Sequence, residues 1–533
     1  MKVVNKKIPW FLTALLVVLG FIFIVTRGLD VTPEEPVGSI PASQDRHYGV
    51  SAGSPLAVSV GMEILSKGGN AIDAAVAVSY TLGTVQPYGS GIGGGGAMLV
   101  YPSDGSAPVF YDYQGVSPLN GLVPKGYVAV PGFVLAMEQI HGDLGTLPMD
   151  QLIAPSIQYA KKGFPVDATL DKILRLSRAK LAAGNASIFY NNGSLPGTGM
   201  VLTQPELAAT LSLIQKEGSD AFYNGVIGRD ILAAVPGLAS EDLAGYRVAS
   251  VSPVSAEYGK YVIFSAPPPF GGVTLIQILK MAEQLKVEDV TTSAQGLYAM
   301  SRILNTAYAK RLSTIADPGF STIDSQEMVT AAYIDRMVTD ISKTLPLSSF
   351  SNEDTTHFVI IDKDGMMVSC TNSLSSWFGS GISTGGFFLN NHLRNFSQNI
   401  KNLNGWEAGK RPRTFMSPTV IALDGKPILG IGTPGGNRIP AVLSQVLINI
   451  LINAEDPQAA IDAPRFYING NSLYYEDTLD DSLSKELNTK GITAIHDSST
   501  LNFGAVNCLY YDPLTQKIMG GADSRRGGAW KAK

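Results

Sequence analysis

Thr355 is the residue whose type and surroundings most clearly suggest chemistry. It follows Asp354 and opens the run TTHFVIIDKDG, in which strand-favouring residues lead into an Asp364-Gly365 turn. Inside a chain, a threonine hydroxyl is a poor nucleophile because it has no base of its own. If that hydroxyl attacks the carbonyl of Asp354 and the chain is cut there, the freed α-amine of Thr355 becomes the base. A reference pKa of about 7.7–8.0 leaves a useful fraction of that amine unprotonated near neutral pH.

The same run is also compatible with an ordinary β-hairpin, since Thr, Phe, Val and Ile all favour strands. Two observations favour the self-cleaving interpretation. Residues 341–354 (ISKTLPLSSFSNED) are polar and irregular, as an exposed segment that must be cut would be. Several distant segments, described below, agree with it.

Composition excludes some classes of protein. A net charge of −5, with no Lys/Arg block beyond the extreme N-terminus, argues against a nucleic-acid partner. The five histidines show no metal-ligand spacing, so we expect no metal, and we expect no cofactor. Cys370 and Cys508 lie in apolar, strand-like segments and are expected to be buried free thiols.

The first 27 residues form a separate unit. Three lysines, at positions 2, 6 and 7, precede an apolar run over residues 8–25, which is just long enough to span a bilayer. Positive charge on the N-terminal side places that end in the cytoplasm. We therefore expect residues 1–27 to be a cytoplasmic tip and a single-pass signal-anchor in the cell membrane. Residues 28–45 would be a linker, and the catalytic part would lie outside the cytoplasm. A cleaved signal peptide is the alternative, but no small-x-small cleavage site follows the run.

Residues 46–533 show helical and strand patterns in alternating blocks, which predicts an α+β fold of stacked sheets with helices on both outer faces. Length alone would suggest three or four domains, but the interleaved motifs favour one large fold. Helices are predicted after the cap Ser54-Pro55, from Ala71 to about Leu82, and at 131–141, 149–161, 204–217, 272–285, 293–311, 440–453 and 482–490. Strands are predicted after the glycines at 91–96 and at 109–113, 356–362, 367–373, 418–423, 427–432, 506–511 and 516–519.

Two short motifs are expected to be misleading. Gly91–Gly96 satisfies GxGxxG, but a dinucleotide site needs those glycines after a strand and before a helix, and here the order is reversed. Gly49–Gly53 satisfies GxSxG, but the preceding residues are polar rather than an apolar strand. We therefore expect neither a dinucleotide site nor a serine nucleophile.

Many ordered segments of residues 47–531 together resemble γ-glutamyltransferases, which are N-terminal-nucleophile hydrolases. The segments are GVSAGSPLAVSVGMEILSKGGNAIDAAVAVSY, SGIGGGG, VAVPGFVLAMEQIHGDLG, residues 152–166, SAPPPFGGVTLIQIL, TTHFVIIDKDG, GFFLNN, MSPT, GTPGGNRIP and GADSRRGGAW. Within that family, RTFMSPT and the GADSRRGGAW ending are most similar to the branch that depolymerises poly-γ-glutamate capsules.

The resemblance implies a four-layer αββα sandwich and self-cleavage between Asp354 and Thr355. It implies a large fragment, 46–354, and a small fragment, 355–533, that stay together as a heterodimer. Thr355 would be the nucleophile, and Ser373 falls where the family places a hydroxyl that hydrogen-bonds it. Gly435 and Gly436 match the oxyanion hole, where two successive amides can converge on a developing negative charge.

The sequence also departs from the family pattern. Family members carry an arginine that binds the substrate α-carboxylate, where this chain has Gln114, and a glutamine cannot replace a bidentate arginine. The acidic residues that follow LNN in glutathione-type members are replaced by the run 392–395 (HLRN), and the paired serines before MSP by Thr414-Phe415. The subsite for a free glutamyl end is therefore expected to be rebuilt. The expected substrate-binding residues are Gln114, Ser375, Asn395, Arg413, Arg525 and Arg526, although the Arg525-Arg526 pair is also compatible with a solvated charge pair.

The sequence thus predicts a self-processing hydrolase or transferase that cuts γ-glutamyl amide bonds, with capsule-type poly-γ-glutamate as the preferred substrate. A glutathione-type γ-glutamyltransferase is the first alternative. A non-catalytic envelope-binding protein on the same fold is the second, and the glutamine at position 114 is the feature that favours it.

Overall fold

A computed structural model describes residues 47–183, 189, 194–341 and 353–533. The chain divides into two units, Met1–Arg46 and His47–Lys533, and every element below belongs to the second. The anchor and linker predicted over residues 1–45 lie outside the described residues, as does most of the irregular segment 341–354. In the described part of the chain, none of the helices is both long and apolar enough to cross a bilayer.

Two antiparallel sheets form the centre of the fold. The first has seven strands, in the spatial order Ala529–Ala532, Gly49–Ala52, Glu353–Ile361, Met367–Ser376, Gly95–Tyr101, Val109–Asp112 and Ala249–Val251. The second has six, in the order Lys517–Ala522, Asn507–Asp512, Lys426–Gly432, Thr419–Leu423, Tyr261–Ser265 and Val254–Tyr258. Smaller sheets pair Phe466–Asn469, Ser472–Tyr475 and Thr493–His496, Ser383–Thr384 with Phe387–Phe388, and Phe164–Pro165 with Val201–Leu202.

Helices cover both outer faces of the sheet pair. Ala71–Val85 packs on the first sheet, while Gly272–Gln284 and Ile439–Leu451 pack on the second. Apolar side chains fill the space between the sheets, among them Val359 and Val420. This arrangement is the helix–sheet–sheet–helix sandwich that the sequence predicted, and it places the Thr355 strand in the interior of the molecule.

The described helices agree with the predicted ones and add shorter helices between them. In the first part of the chain they are Pro55–Ser66, Ala71–Val85, Phe133–Leu144, Met149–Lys162, Ala168–Leu176, Arg178–Ala183, Pro205–Glu217, Ser219–Tyr223, Val226–Ala234 and Ser240–Ala244. In the second part they are Gly272–Gln284, Ala294–Thr314, Ala331–Asp340, Ile439–Leu451, Pro457–Asp462 and Asp481–Thr489. Short 3₁₀ turns include Lys125–Tyr127, His392–Asn395 and Gly436–Arg438.

One buried helix shows how local sequence positions the Thr355 strand. Asn70 accepts hydrogen bonds from the amides of Ile72 and Asp73, and the Asp73 carboxylate accepts one from the Asn70 amide, which completes a capping box. The amide of Ala71 donates to Asp362, at the turn that follows the Thr355 strand, over 2.9 Å. The helix start is thereby joined to the hairpin that carries Thr355.

The GxGxxG and GxSxG motifs both overlap strands of the first sheet and have packing roles. Gly95 and Gly96 begin a strand, and a Cβ on Gly96 would lie 2.4 Å from the carbonyl oxygen of Thr371 in the neighbouring strand. Ser51, the serine of GxSxG, is fully buried within a strand and donates to the carbonyl of Gly521. Cys370 and Cys508 are buried and free, as predicted.

The two sheets approach each other closely where a glycine faces a histidine. A Cβ on Gly432 would lie 2.3–2.6 Å from the imidazole atoms of His357, a residue of the Thr355 strand. Replacing Gly432 with alanine must push the sheets apart, and overpacking of this kind costs about 1–3 kcal/mol. We expect Gly432→Ala to lower the thermal unfolding midpoint, measured by circular dichroism.

Gly142 provides the matched control for that substitution. It lies in the helix Phe133–Leu144, with nothing within 4 Å of an added Cβ. Gly142→Ala should leave the midpoint unchanged or raise it, because alanine favours the helix over glycine by up to about 1 kcal/mol. Equal effects of the two substitutions would contradict the close approach of the sheets.

Candidate active site

Strand register brings Thr355 and Ser373 together. Thr355 lies in Glu353–Ile361, and its partner in the antiparallel strand Met367–Ser376 is Ser373. Directly opposite residues of an antiparallel pair point to the same face, with Cβ atoms about 4.5–5.5 Å apart. The side chains are 4% and 3% exposed, respectively. The two hydroxyls therefore share a buried face of the first sheet.

A β-bulge follows Ser373 and turns the next serine toward the same site. The register shifts between Ser373 and Ser375, and Ser375 has a φ of +78°, which a residue with a side chain rarely adopts. The Ser375 amide donates to Ser373 Oγ over 2.8 Å. The bulge thereby fixes the Ser373 hydroxyl and brings Ser375 to the rim of the site. Backbone strain of this kind is common at active sites.

A small cavity opens beside these residues. Its lining consists of Gln114, Thr355, Ser373, Ser375, His392, Asn395, Thr414, Phe415, Met416, Gly436 and Ile439. Six of these were predicted site residues, drawn from four separate parts of the chain. None of the described lining residues is acidic, Lys or Arg, and among them only His392 has a titratable side chain that could carry a positive charge.

A glycine turn forms one wall of the cavity. Gly435 and Gly436 have φ values of +143° and +58°, which favour glycine, and they follow the strand Lys426–Gly432. Within the described residues neither amide donates a hydrogen bond to the protein. Tyr308 Oη donates to the carbonyl of Asn437 over 2.7 Å, which anchors the turn. Gly436 lines the cavity, whereas Gly435 lies just behind the lining.

The helix Ala294–Thr314 supports a second wall as well. The Tyr308 ring contacts Phe415 edge-on at 5.7 Å between centroids, and the Arg311 guanidinium lies 4.3 Å from the same ring. Arg311 also donates to the carbonyl of Thr414. One helix thus holds both the glycine turn and the Thr414-Phe415 segment.

Gln114 is held rigidly in the cavity wall. Its side-chain Nε2 donates to the carbonyl of Pro412 over 2.9 Å, and its backbone N–H donates to the Asp112 carboxylate. Its backbone carbonyl accepts a hydrogen bond from Tyr246 Oη. Because Nε2 must face a carbonyl, the amide orientation is fixed. The remaining Oε1 is buried and accepts nothing from the described residues, so Gln114 presents a hydrogen-bond acceptor at the site.

His392 joins two walls of the cavity, and the sequence did not reveal this role. The amide of Gly115 donates to its Nδ1 over 3.2 Å, so Nε2 carries the proton and donates to the carbonyl of Ser373 over 3.1 Å. Burial lowers the pKa of His392 to about 4, against a smaller opposing effect of the Ser373 carbonyl. At neutral pH the ring is uncharged. In the sequence, His392 was visible only as a substitution for an expected residue.

Arg413, a predicted substrate-binding residue, is not among the residues that line the cavity. Its Nη1 donates to the carbonyls of Arg311 and Leu312 over 3.2 and 2.9 Å, at the end of the helix Ala294–Thr314. Burial lowers its pKa to about 10. Arg413 therefore satisfies the last carbonyls of a helix, a common use of a basic side chain.

Arg525 and Arg526 also lie outside the cavity lining. Arg525 is paired with Glu476, over 2.6 Å for one of the two contacts, and with Asp523. Arg526 is 5% exposed and donates to the carbonyl of Leu501. A sequence pair of arginines cannot show that one of them is neutralised by a nearby aspartate together with Glu476, 49 residues earlier in the chain. The two arginines are also not a solvated pair, since Arg526 is buried.

Neutral His392 makes stability depend on pH. Its pKa is 6.5 in the unfolded chain and about 4 in the folded protein. Between these values the unfolded chain binds a proton that the folded one does not, so stability falls as pH falls from 6.5 to 4, by about 3 kcal/mol for this group. His392→Gln, which can still donate to the Ser373 carbonyl, should lose less stability than the wild type between pH 7 and pH 4 in urea unfolding. An unchanged pH dependence would contradict the assignment of a buried neutral ring.

Known proteins share this fold and sequence. Residues 57–532 match the family described as gamma-glutamyltranspeptidase. The capsule biosynthesis protein CapD proenzyme of Bacillus anthracis is 44% identical over 486 residues, covering 91% of this chain and 90% of that protein. The glutathione hydrolase proenzyme of Bacillus subtilis strain 168 is 32% identical over 553 residues, covering 92% and 93%.

A solved structure, the cephalosporin acylase of Bacillus halodurans, superposes with a TM-score of 0.84 at 26% identity, covering 94% of this chain and 99% of that one. The buried threonine beside a glycine turn, the four-layer fold and the family match over most of the chain agree with one another. The chain belongs to the gamma-glutamyltranspeptidase family and is a γ-glutamyltransferase or hydrolase.

Proposed function

We propose that this enzyme cuts itself before Thr355 and then cleaves γ-glutamyl amide bonds in capsule-type poly-γ-glutamate. The observation that supports this most directly is the site itself. Thr355 and Ser373 face each other in a cavity that also contains the amide of Gly436 and the acceptor oxygen of Gln114. We also propose, from the sequence alone, that residues 8–25 anchor the enzyme in the membrane with the catalytic part outside.

The first reaction is the self-cleavage. Thr355 Oγ attacks the carbonyl carbon of Asp354, the Asp354–Thr355 C–N bond breaks, and an ester joins the two residues. Water then hydrolyses the ester, which leaves a carboxyl on Asp354 and a free α-amine on Thr355. The two products would be the fragments 46–354 and 355–533, preceded by the anchor and linker. Strands from both fragments alternate in the first sheet, so the fragments stay together.

The second reaction uses the new chain end. The α-amine of Thr355 takes the proton of Thr355 Oγ as that oxygen attacks the γ-amide carbonyl of the substrate. Gly435 and Gly436 donate their amides to the oxyanion, where each donor can supply about 3–4 kcal/mol of transition-state stabilisation. The ammonium gives its proton to the leaving amine, and the γ-glutamyl ester passes to water or to an acceptor amine. Ser373 positions the nucleophile.

Gln114 and Asn395 favour a polymer over a free glutamyl end. The two substrates differ at the α-nitrogen: a free γ-glutamyl group carries an ammonium, which calls for an acidic partner, and none of the described side chains that line the cavity is an acid. Inside poly-γ-glutamate the same nitrogen is acylated, so it is a neutral N–H donor. The buried Oε1 of Gln114 is an acceptor of the kind that such an N–H needs.

Glutathione is the runner-up substrate, because glutathione hydrolases are among the relatives. It presents the free ammonium that Asn395, which stands where those enzymes have an acid, is poorly suited to balance. A purely envelope-binding protein would not need a nucleophile, a positioned hydroxyl and a glycine turn in one cavity, so we do not favour that alternative.

Product analysis tests the substrate. The processed enzyme, incubated with poly-γ-glutamate, should release short oligomers, detected by size-exclusion chromatography and mass spectrometry. With glutathione it should release cysteinylglycine more slowly. Faster turnover of glutathione than of the polymer would overturn the proposed substrate.

Gln114→Arg is the informative variant in the same assays. An arginine there restores the carboxylate contact of glutathione-type members and removes the acceptor oxygen. We expect the ratio of glutathione to polymer kcat/KM to rise at least about tenfold, which is roughly one charge-assisted hydrogen bond. Gln114→Met, which removes the acceptor oxygen but adds no charge, serves as the control and should raise that ratio less than arginine does.

Thr355 decides whether the chain is cut at all. Thr355→Ala removes the only hydroxyl proposed to attack Asp354, so a denaturing gel should show one uncut band after long incubation. Thr355→Ser keeps a hydroxyl and should still yield two bands, the smaller beginning with serine in N-terminal sequencing. A cut chain in the alanine variant would show that another group breaks the bond.

A further inference from the structure

Arg394 lies beside the cavity and is an exposed cation without a counter-charge. It belongs to the 3₁₀ turn His392–Asn395, whose first and last residues line the cavity. Its guanidinium lies 6.0 Å from the centroid of the Tyr127 ring, which is itself 49% exposed. Across the described part of the chain, Arg394 makes no side-chain hydrogen bond or ion pair. This guanidinium is therefore available to solvent and to a ligand.

Lys180 lies within electrostatic reach of Arg394. Its Nζ donates to the carbonyls of Trp377 and Gly379 over 2.9 and 3.1 Å. Burial lowers its pKa, and the neighbouring charge of Arg394 lowers it further. Trp377 directly follows the strand that carries Ser373 and Ser375, so Lys180 is fixed to the chain segment that leaves the active site.

The surrounding backbone holds these groups in one place. Gly126, next to Tyr127, lies against Ser380 and Ile382, since a Cβ there would be 2.9 Å from Ser380 Cβ. Gly381 lies equally close to the Lys180 side chain. Neither Lys180 nor Arg394 forms an ion pair with a carboxylate of the described residues. Two like charges held near each other without a carboxylate are unfavourable unless an anion from outside balances them.

We propose that Arg394 and Lys180 form a carboxylate-binding subsite for the part of the polymer that flanks the cut residue. The inference rests on the proposed polymer substrate. Each residue of poly-γ-glutamate carries a free α-carboxylate, so a chain lying across the cavity mouth presents a negative charge at every repeat. The uncharged cavity takes the cut residue, and the arginine–lysine pair takes a neighbouring carboxylate. Tyr127 provides an exposed ring on which the arginine rests.

This subsite separates long substrates from short ones. A chromogenic γ-glutamyl anilide has a neutral leaving group and no flanking carboxylate, so it gains nothing from Arg394. The measured quantity is the ratio of kcat/KM for poly-γ-glutamate to kcat/KM for the anilide. We expect Arg394→Ala to lower that ratio about fivefold, the effect of one partly exposed charge pair, mainly through KM for the polymer.

Charge variants distinguish binding from a structural effect. Arg394→Lys should restore most of the ratio, and Arg394→Glu should lower it further than alanine does, because it repels the polymer. Added salt should raise the polymer KM of the wild type more than that of Arg394→Ala. Arg229→Ala, which removes an exposed arginine on the helix Val226–Ala234, is the matched control and should leave the ratio unchanged.

The outcomes separate the subsite from the proposed function. The first outcome is that the wild type shortens the polymer but has the same kcat/KM ratio as Arg394→Ala and Arg394→Glu. That result would overturn the subsite and leave the polymer substrate standing. If the wild type turns over the anilide but leaves the polymer intact, the proposed substrate is overturned and the subsite falls with it.

Discussion

The antiparallel register of Glu353–Ile361 with Met367–Ser376 is the constraint on which the site depends. It sets Thr355 opposite Ser373, and the bulge that follows adds Ser375. Strand side chains alternate with a period of two, so a slip of one residue would turn Thr355 to the other face of the sheet. Burial of the strand on both faces excludes that slip. Phe358 and Ile360 pack under the helices, while Val359 and Ile361 pack against the second sheet.

Hydrogen bonds and a contact between the Arg311 guanidinium and the Phe415 ring, rather than ion pairs, fix the cavity walls. His392 ties the carbonyl of Ser373 to the amide of Gly115, and Tyr308 holds the glycine turn through Asn437. The ionised groups nearby lie behind those walls, where Arg411 pairs with Asp112. In a buried site of this kind, each amide dipole aimed at the substrate stabilises charge more strongly than it would in water. The negative charges of a substrate are then best bound by charged side chains at the rim of the cavity.

Much of the fold could be predicted from the sequence, because the signals were local. The Asn70 cap, the glycines before Gly95–Tyr101 and the alternating strand around Thr355 each follow from short-range rules. The roles of the arginines could not be predicted, because they depend on partners remote in the chain. Arg525 is neutralised by Glu476, and Arg413 finds the end of a helix about a hundred residues earlier. The bridging role of His392 has the same origin, since Gly115 and Ser373 meet only in the folded sheet.

The uncharged lining connects catalysis with substrate choice. In the proposed processed enzyme, the α-amine would belong to Thr355, a residue that is 4% exposed, and no acidic residue is among the described residues that line the cavity. In the proposed processed enzyme, burial would disfavour the ammonium form of this amine and so increase the fraction that can act as a base at neutral pH, whereas the new Asp354 carboxylate would oppose this for as long as it stays beside the amine. An acidic residue placed to bind a free substrate ammonium would oppose this by stabilising the protonated amine. Under the proposed function, Asn395 in place of an acid would serve two ends: it suits an acylated substrate nitrogen, and it adds no negative charge that would stabilise the protonated form of the Thr355 amine.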